Sequence, residues 1–130
     1  MDFEPTERQA YWRDRVKSFI ADHIRPAVPT YLEQDAEGER WKVIPVVEEL
    51  KGKAKAQGLW NLFMPPRSGR SHVDDSFTFE GEQLTNLEYA PLCEIMGRSP
   101  IGAEAFNCSA PDTGNMEVLE RYGNDEHKKE

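Results

Sequence analysis

TERQAYWRDRVKSFIADHIRP (residues 6–26) decides the fold. Its opening Thr6-Glu7-Arg8-Gln9 places a hydroxyl three residues before a side-chain amide. That is the capping-box pattern, in which each side chain satisfies the other residue's exposed backbone amide. Trp12, Val16, Phe19, Ile20, His23 and Ile24 then recur at spacings of three and four, forming one apolar stripe. Arg8, Arg13, Arg15, Lys17 and Asp22 fall mostly off that stripe, so the segment reads as an amphipathic helix. Pro26 disfavours helical geometry at Arg25, which predicts that the helix ends or bends around residues 24–27.

Working outward, residues 29–42 are polar and acidic (Glu33, Asp35, Glu37, Gly38, Glu39) and read as a solvated connection. Pro45 suits the first turn of a second helix, where its missing amide costs nothing. Val46, Val47, Leu50 and Ala54 mark its buried face, Lys51, Lys53 and Lys55 complement its dipole, and Gly58 stops it. Trp60, Leu62, Phe63 and Met64 follow as a short apolar extended stretch closed by Pro65-Pro66. Residues 66–83, with Gly69, Gly81 and Asp74-Asp75, form a long loop of the kind that is often functional. Thr85-Asn86-Leu87-Glu88 is a second capping box, and Leu84, Leu87, Leu92, Ile95 and Met96 carry an apolar stripe up to Gly97. Pro91 falls inside that pattern and predicts a bend in the first turn. After a short segment at 101–108 the chain breaks at Ala110-Pro111-Asp112-Thr113-Gly114. A helix through Met116, Leu119 and Tyr122 then ends at Gly123, and Asn124-Asp125 can cap another. Strand character is confined to two or three residues within 60–64 and 76–80. The expected fold is all-α, a bundle of about five to six helices with a long loop.

Composition bounds the function. With 130 residues the chain suits one domain, able to bury roughly two-thirds of its unfolded surface. Sixteen basic against 24 acidic residues give a net charge of −8. The acidity is concentrated in residues 66–130, which carry 13 acidic and 6 basic groups. That balance argues against nucleic acid as a partner, since phosphate binding needs a basic surface. No run of 18 apolar residues exists to span a membrane. Met1-Asp2-Phe3-Glu4-Pro5 has neither the basic flank nor the apolar core of a signal peptide, so a cytoplasmic location is expected. A hydrophobic share of 38% is low for a self-contained globule, yet 13 aromatic residues are too many for a disordered chain.

Few residues suggest chemistry. Cys93 and Cys108 lack adjacent basic residues and read as ordinary packed thiols rather than redox or metal groups. His72 with Asp74 and Asp75 lacks the rigid spacing of a metal site and reads as solvated loop. His23, on the apolar stripe, reads as a buried, hydrogen-bonded histidine. Asp112 suits a helix N-cap and a contact to substrate or a neighbouring domain equally well. No Gly-rich phosphate loop, Ser/His/Asp arrangement or paired-carboxylate pattern is present.

Three stretches carry a resemblance. ELKGKAKAQGLWNLFMPP (49–66), LTNLEYAPLCEIMGRS (84–99) and FNCSAPDTGNMEVLERYGNDEHKKE (106–130) resemble segments of acyl-CoA dehydrogenases, in that family's order and spacing. The resemblance covers residues 6–130. It implies that residues 1–130 are an N-terminal helical domain truncated at its C-terminal end, with the family's middle β domain and C-terminal helical domain absent. The flavin (FAD) contacts and the catalytic carboxylate lie mainly in those other domains. By the same resemblance, no catalytic, cofactor-binding or metal residue is expected in this chain, and no FAD is bound by it alone. The complete enzyme would act on an acyl-CoA, pass electrons to a transfer partner and assemble as a homo-oligomer.

The resemblance also implies that Phe106, Asn107, Ala110 and Gly114 line the far end of the acyl cavity, with Cys108 and Met116 as neighbours. Pro111 departs from the commoner family pattern by interrupting a helix there, so chain-length preference does not carry over. Phe106 is expected to shorten or redirect the cavity. With partner domains missing, Trp60, Phe63, Met64 and Met116 are expected to expose apolar surface. The alternative is a stand-alone, non-catalytic helical module that binds a partner protein or a hydrophobic ligand.

Overall fold

Thr6 lies outside its helix in extended geometry, its hydroxyl accepting from the Gln9 amide (3.2 Å) while Gln9 Oε1 accepts from the Thr6 amide (2.8 Å). From this cap the computed structural model, which describes residues 4–66 and 82–128, runs α1 over Glu7–Phe19. Trp12, Val16 and Phe19 bury one face, as their spacing predicts. Ile20–Ile24 then forms a single π turn, in which the Arg25 amide donates to the Ile20 carbonyl five residues back. The chain continues as α2, Arg25–Ala36.

This corrects two expectations. Pro26 does not end the helix, and the connection expected over 29–42 shrinks to 37–44. The π turn resets the hydrogen-bond frame, so Pro26 lands in the first turn of a new α segment, where no amide is required. Pro29 lies inside α2, but α2 is peripheral and buries no residue, and the carbonyl that Pro29 frees belongs to exposed Arg25.

Helix α3, Pro45–Ala56, buries Val47, Leu50 and Ala54. Gly58, at φ +69°, closes it: the Gly58 amide donates to Lys55 O (3.0 Å) and the Leu59 amide to Ala54 O (2.9 Å). The stretch at 60–64 is a tight turn rather than an extended run. Asn61 adopts a left-handed φ of 55°, and the Met64 amide returns to Asn61 O (3.1 Å). The strand expected at 76–80 lies outside the described residues, as does most of the 66–83 loop. Helix α4, Asn86–Met96, opens with the second capping box, with Thr85 and Glu88 exchanging hydrogen bonds of 2.8 and 3.3 Å. Pro91 sits within regular helix without bending the first turn, because the carbonyl it frees is satisfied from α1.

One-turn α5, Gly102–Ala105, lies so close to the end of α4 that a Cβ on Gly102 would sit 2.3 Å from Met96 O. Helix α6, Asp112–Tyr122, follows. Asn124 then caps one further turn, its Oδ1 accepting from the His127 amide (3.0 Å). The described residues thus form six α-helices and no strand, the all-α architecture expected. Helix α1 packs on α4, α3 on α5 and α2 on α3. Val16, Phe19, Ile24, Leu50, Leu59, Leu62, Leu84, Leu92 and Phe106 occupy the centre.

The exposed apolar surface differs from expectation. The turn at Asn61 folds Phe63 and Met64 into the core, while Trp60 and Met116 are half-buried. Trp41, Val43, Leu87, Val118 and Tyr122 stand out instead, Leu87 at 79% exposure despite its place in the apolar stripe.

Candidate functional site

Helix α5 ends as α3 does, with a left-handed residue, here Asn107 (φ 54°) instead of glycine. The Asn107 amide donates to Glu104 O (3.0 Å) and the Cys108 amide to Ala103 O (2.8 Å), the same reciprocal closure as at Gly58. Asparagine tolerates this conformation because its short polar side chain bonds locally. Asn107 Nδ2 donates to Oδ1 of Asn61 (2.7 Å), the other left-handed asparagine, and lies 3.6 Å from Met116 Sδ. The Asn61 amide in turn donates to Phe106 O (3.1 Å). The 60–64 turn, the end of α5 and the start of α6 therefore meet at one corner.

Phe106 points inward from that corner, fully buried, its ring 5.1 Å from that of Phe19. Ala110 is exposed, joined to Pro111 by a cis peptide bond. Gly114 is exposed on α6, with open space where a Cβ would stand. Phe106 and Asn107 are thus fixed by core and hydrogen bonds, whereas Ala110 and Gly114 present backbone at the surface. Sequence reasoning missed Asn61, whose hydrogen bond to Asn107 spans 46 positions. The signal available was two asparagines at positions where chain reversals were due. Asp112 is the first helical residue of α6, not its cap. Pro111 holds the cap position, and no side chain bonds the helix start.

Cys108 is buried against the same corner. Its Sγ donates to Phe106 O (3.3 Å), and burial pushes the thiol pKa up, a rise partly opposed by the polar groups of Tyr89, Phe63 and Leu62. Tyr89 is also pushed well up, by burial first and by the two neighbouring thiols second. Cys108 is the packed thiol expected, but Cys93 is exposed and departs from that reading. His23 is half-buried rather than buried, its ring 4.8 Å from Phe19 and its Nε2 3.4 Å from Gln57 Nε2. His72, Asp74 and Asp75 lie outside the described residues. No helix among the described residues is long and apolar enough to cross a membrane.

No protein-family model matches the chain. Among curated proteins, the chain is 47% identical over 124 residues to acyl-CoA dehydrogenase family member 10 of Mus musculus, covering 95% of the chain and 11% of that protein. It is 40% identical over 131 residues to Probable acyl-CoA dehydrogenase FadE2 of Mycobacterium tuberculosis, covering 98% of the chain and 29% of that protein. A solved structure of a Mycobacterium abscessus protein assigned to the acyl-CoA dehydrogenases superposes with a TM-score of 0.70 at 40% identity, over 98% of this chain and 31% of that one. The chain therefore spans less than a third of the length of each of these relatives. In sequence and in fold, these 130 residues match the N-terminal helical domain of the acyl-CoA dehydrogenase family.

Proposed function

We propose that the chain serves as the N-terminal domain of a flavin-dependent acyl-CoA dehydrogenase subunit, supplying helical scaffold and part of the acyl-chain wall without catalysing alone. The observation that carries this reading is α6. It buries no residue, yet it presents Val118, Leu119 and Tyr122 to solvent beside the Asn61–Asn107 corner. A helix with that face needs something to pack against, and the relatives are more than three times as long as this chain, which leaves room for the middle β domain and C-terminal helical domain that the resemblance implies. Within such a subunit Phe106, Asn107, Ala110 and Gly114 form the wall. Asn107 sets the backbone corner, Phe106 anchors it to the core, and Ala110 and Gly114 leave room for an alkyl chain.

These residues make no flavin site. The Asn107 side-chain amide is engaged by Asn61, Phe106 is enclosed, and Ala110 and Gly114 have no polar side chain. FAD held by the other domains would supply the hydride acceptor for α,β-dehydrogenation. An electron-transfer partner and assembly as a homo-oligomer belong to the same reading.

The test has two stages. The coding sequence downstream of Glu130 should continue in frame into further domains; a stop codon there would turn the reading to the stand-alone module. The longer subunit should carry flavin absorbance and reduce an artificial acceptor with saturated acyl-CoAs. Phe106→Leu in that subunit should shift the chain-length profile, and an unchanged profile removes Phe106 from the wall.

A further inference from the structure

A cavity of about 510 Å³ lies between the π turn and the end of α4, away from the Asn61–Asn107 corner in its lining. Ile20, Val28 and Ile95 give it an apolar floor, and its charged lining residues are all cations: Lys17, Arg25 and Arg98. Arg98 pairs with Glu94. The side chains of Lys17 and Arg25 make no ion pair or hydrogen bond among the described residues, although the chain as a whole is strongly acidic. Most described cations elsewhere are engaged, as Arg8 is with Glu82 and Glu88, or Lys51 with Glu48 and Glu104. Ser99 also lines the cavity, with its Oγ shielded from solvent.

The π turn builds this arrangement. Its wider period bonds the Arg25 amide to Ile20 O and brings the cation onto the same side as Ile20. Such turns recur at functional sites. A guanidinium and an ammonium at the rim, with an apolar floor below them, match a planar anion on a short hydrocarbon body. The volume falls within the range of about 300–1,000 Å³ common for small-molecule pockets.

We propose that this cavity binds a small carboxylate carried on a short apolar tail. Lys17 and Arg25 hold the carboxylate, and Ile20, Val28 and Ile95 take the tail. The site is separate from the acyl wall and does not rest on it. The test is an NMR titration of the 130-residue chain with hexanoate, hexanamide and inorganic phosphate. Hexanoate should shift the Lys17, Arg25 and Ser99 amide resonances saturably, and the double variant Lys17→Gln/Arg25→Gln should weaken it by about tenfold or more. Both substituted side chains are exposed, so the melting curve of the variant should stay unchanged. Three results overturn the proposal: no saturable shift, hexanamide binding as well as hexanoate, or an unaltered affinity in the double variant. Phosphate binding more tightly than hexanoate also overturns it, because the tail would then have no part.

Discussion

The side-chain amide of Gln9 donates to the main-chain carbonyl of Leu87 (2.8 Å), the acceptor that Pro91, four residues on, leaves without a helical partner. The same side chain closes the capping box of α1 through Oε1. Gln9 therefore joins the start of one helix to the defect in another. Gln9→Ala should cost about 1–2 kcal/mol. In a Pro91→Ala background residue 91 regains its amide and can bond Leu87 itself, so the same substitution should cost about 1 kcal/mol less. Denaturant unfolding of the four variants measures the coupling, and strictly additive costs would deny any energetic link.

Glu88 closes the cap of α4 and pairs with Arg8 (2.8 Å). The Thr85 amide foremost, with the Thr85 hydroxyl and Arg8, holds its carboxyl below the usual range. A carboxylate depressed on folding adds stability above its unfolded pKa of about 4.3, and that stability is lost as pH falls through the lower folded value. The melting temperature should drop on acidification below that range, with a shallower drop for Glu88→Gln. Identical pH profiles would assign the acid response to other groups.

The two cysteines should differ in reactivity. Cys93 is exposed, whereas Cys108 is buried with its thiol pKa raised. Near pH 8 an alkylating reagent should modify Cys93 first and Cys108 only on unfolding. Peptide mass mapping over time shows the order, and equal rates would mean that the corner around Cys108 opens readily.

Phe106→Ala removes a fully buried ring that touches Phe19. A loss of about 3–5 kcal/mol is expected, with a smaller loss for Phe106→Leu. A change below about 1 kcal/mol would show that the site collapses around the missing ring.

Legibility followed range. The caps at Thr6 and Thr85 and the stop at Gly58 depend on residues within a few positions, and each forms as its local pattern predicts. The α2 segment was hidden because proline rules assume four-residue hydrogen bonding, and the π turn at Ile20–Ile24 steps outside that frame. Leu87 fits a helical stripe but faces solvent, since the stripe's period fixes a face only to within a neighbouring position. At the candidate site, Phe106 and Asn107 came from resemblance. Their tie to Asn61 could not be read, because a contact across 46 positions leaves no local pattern.

The π turn also acts as a change of phase. Everything before it is indexed on one screw and everything after it on another. If this turn tightened to regular α geometry with every residue kept, the Arg25 amide would bond Ala21 O instead of Ile20 O, and the downstream half would rotate by about 100°. Ala27 and Tyr31, which now lean on the core, would swing away from α3. The length of this stretch therefore sets the direction of α2, and its two isoleucines fill the core. Substitutions at exposed Ala21 and Asp22 should be tolerated, whereas truncation of buried Ile20 or Ile24 should not.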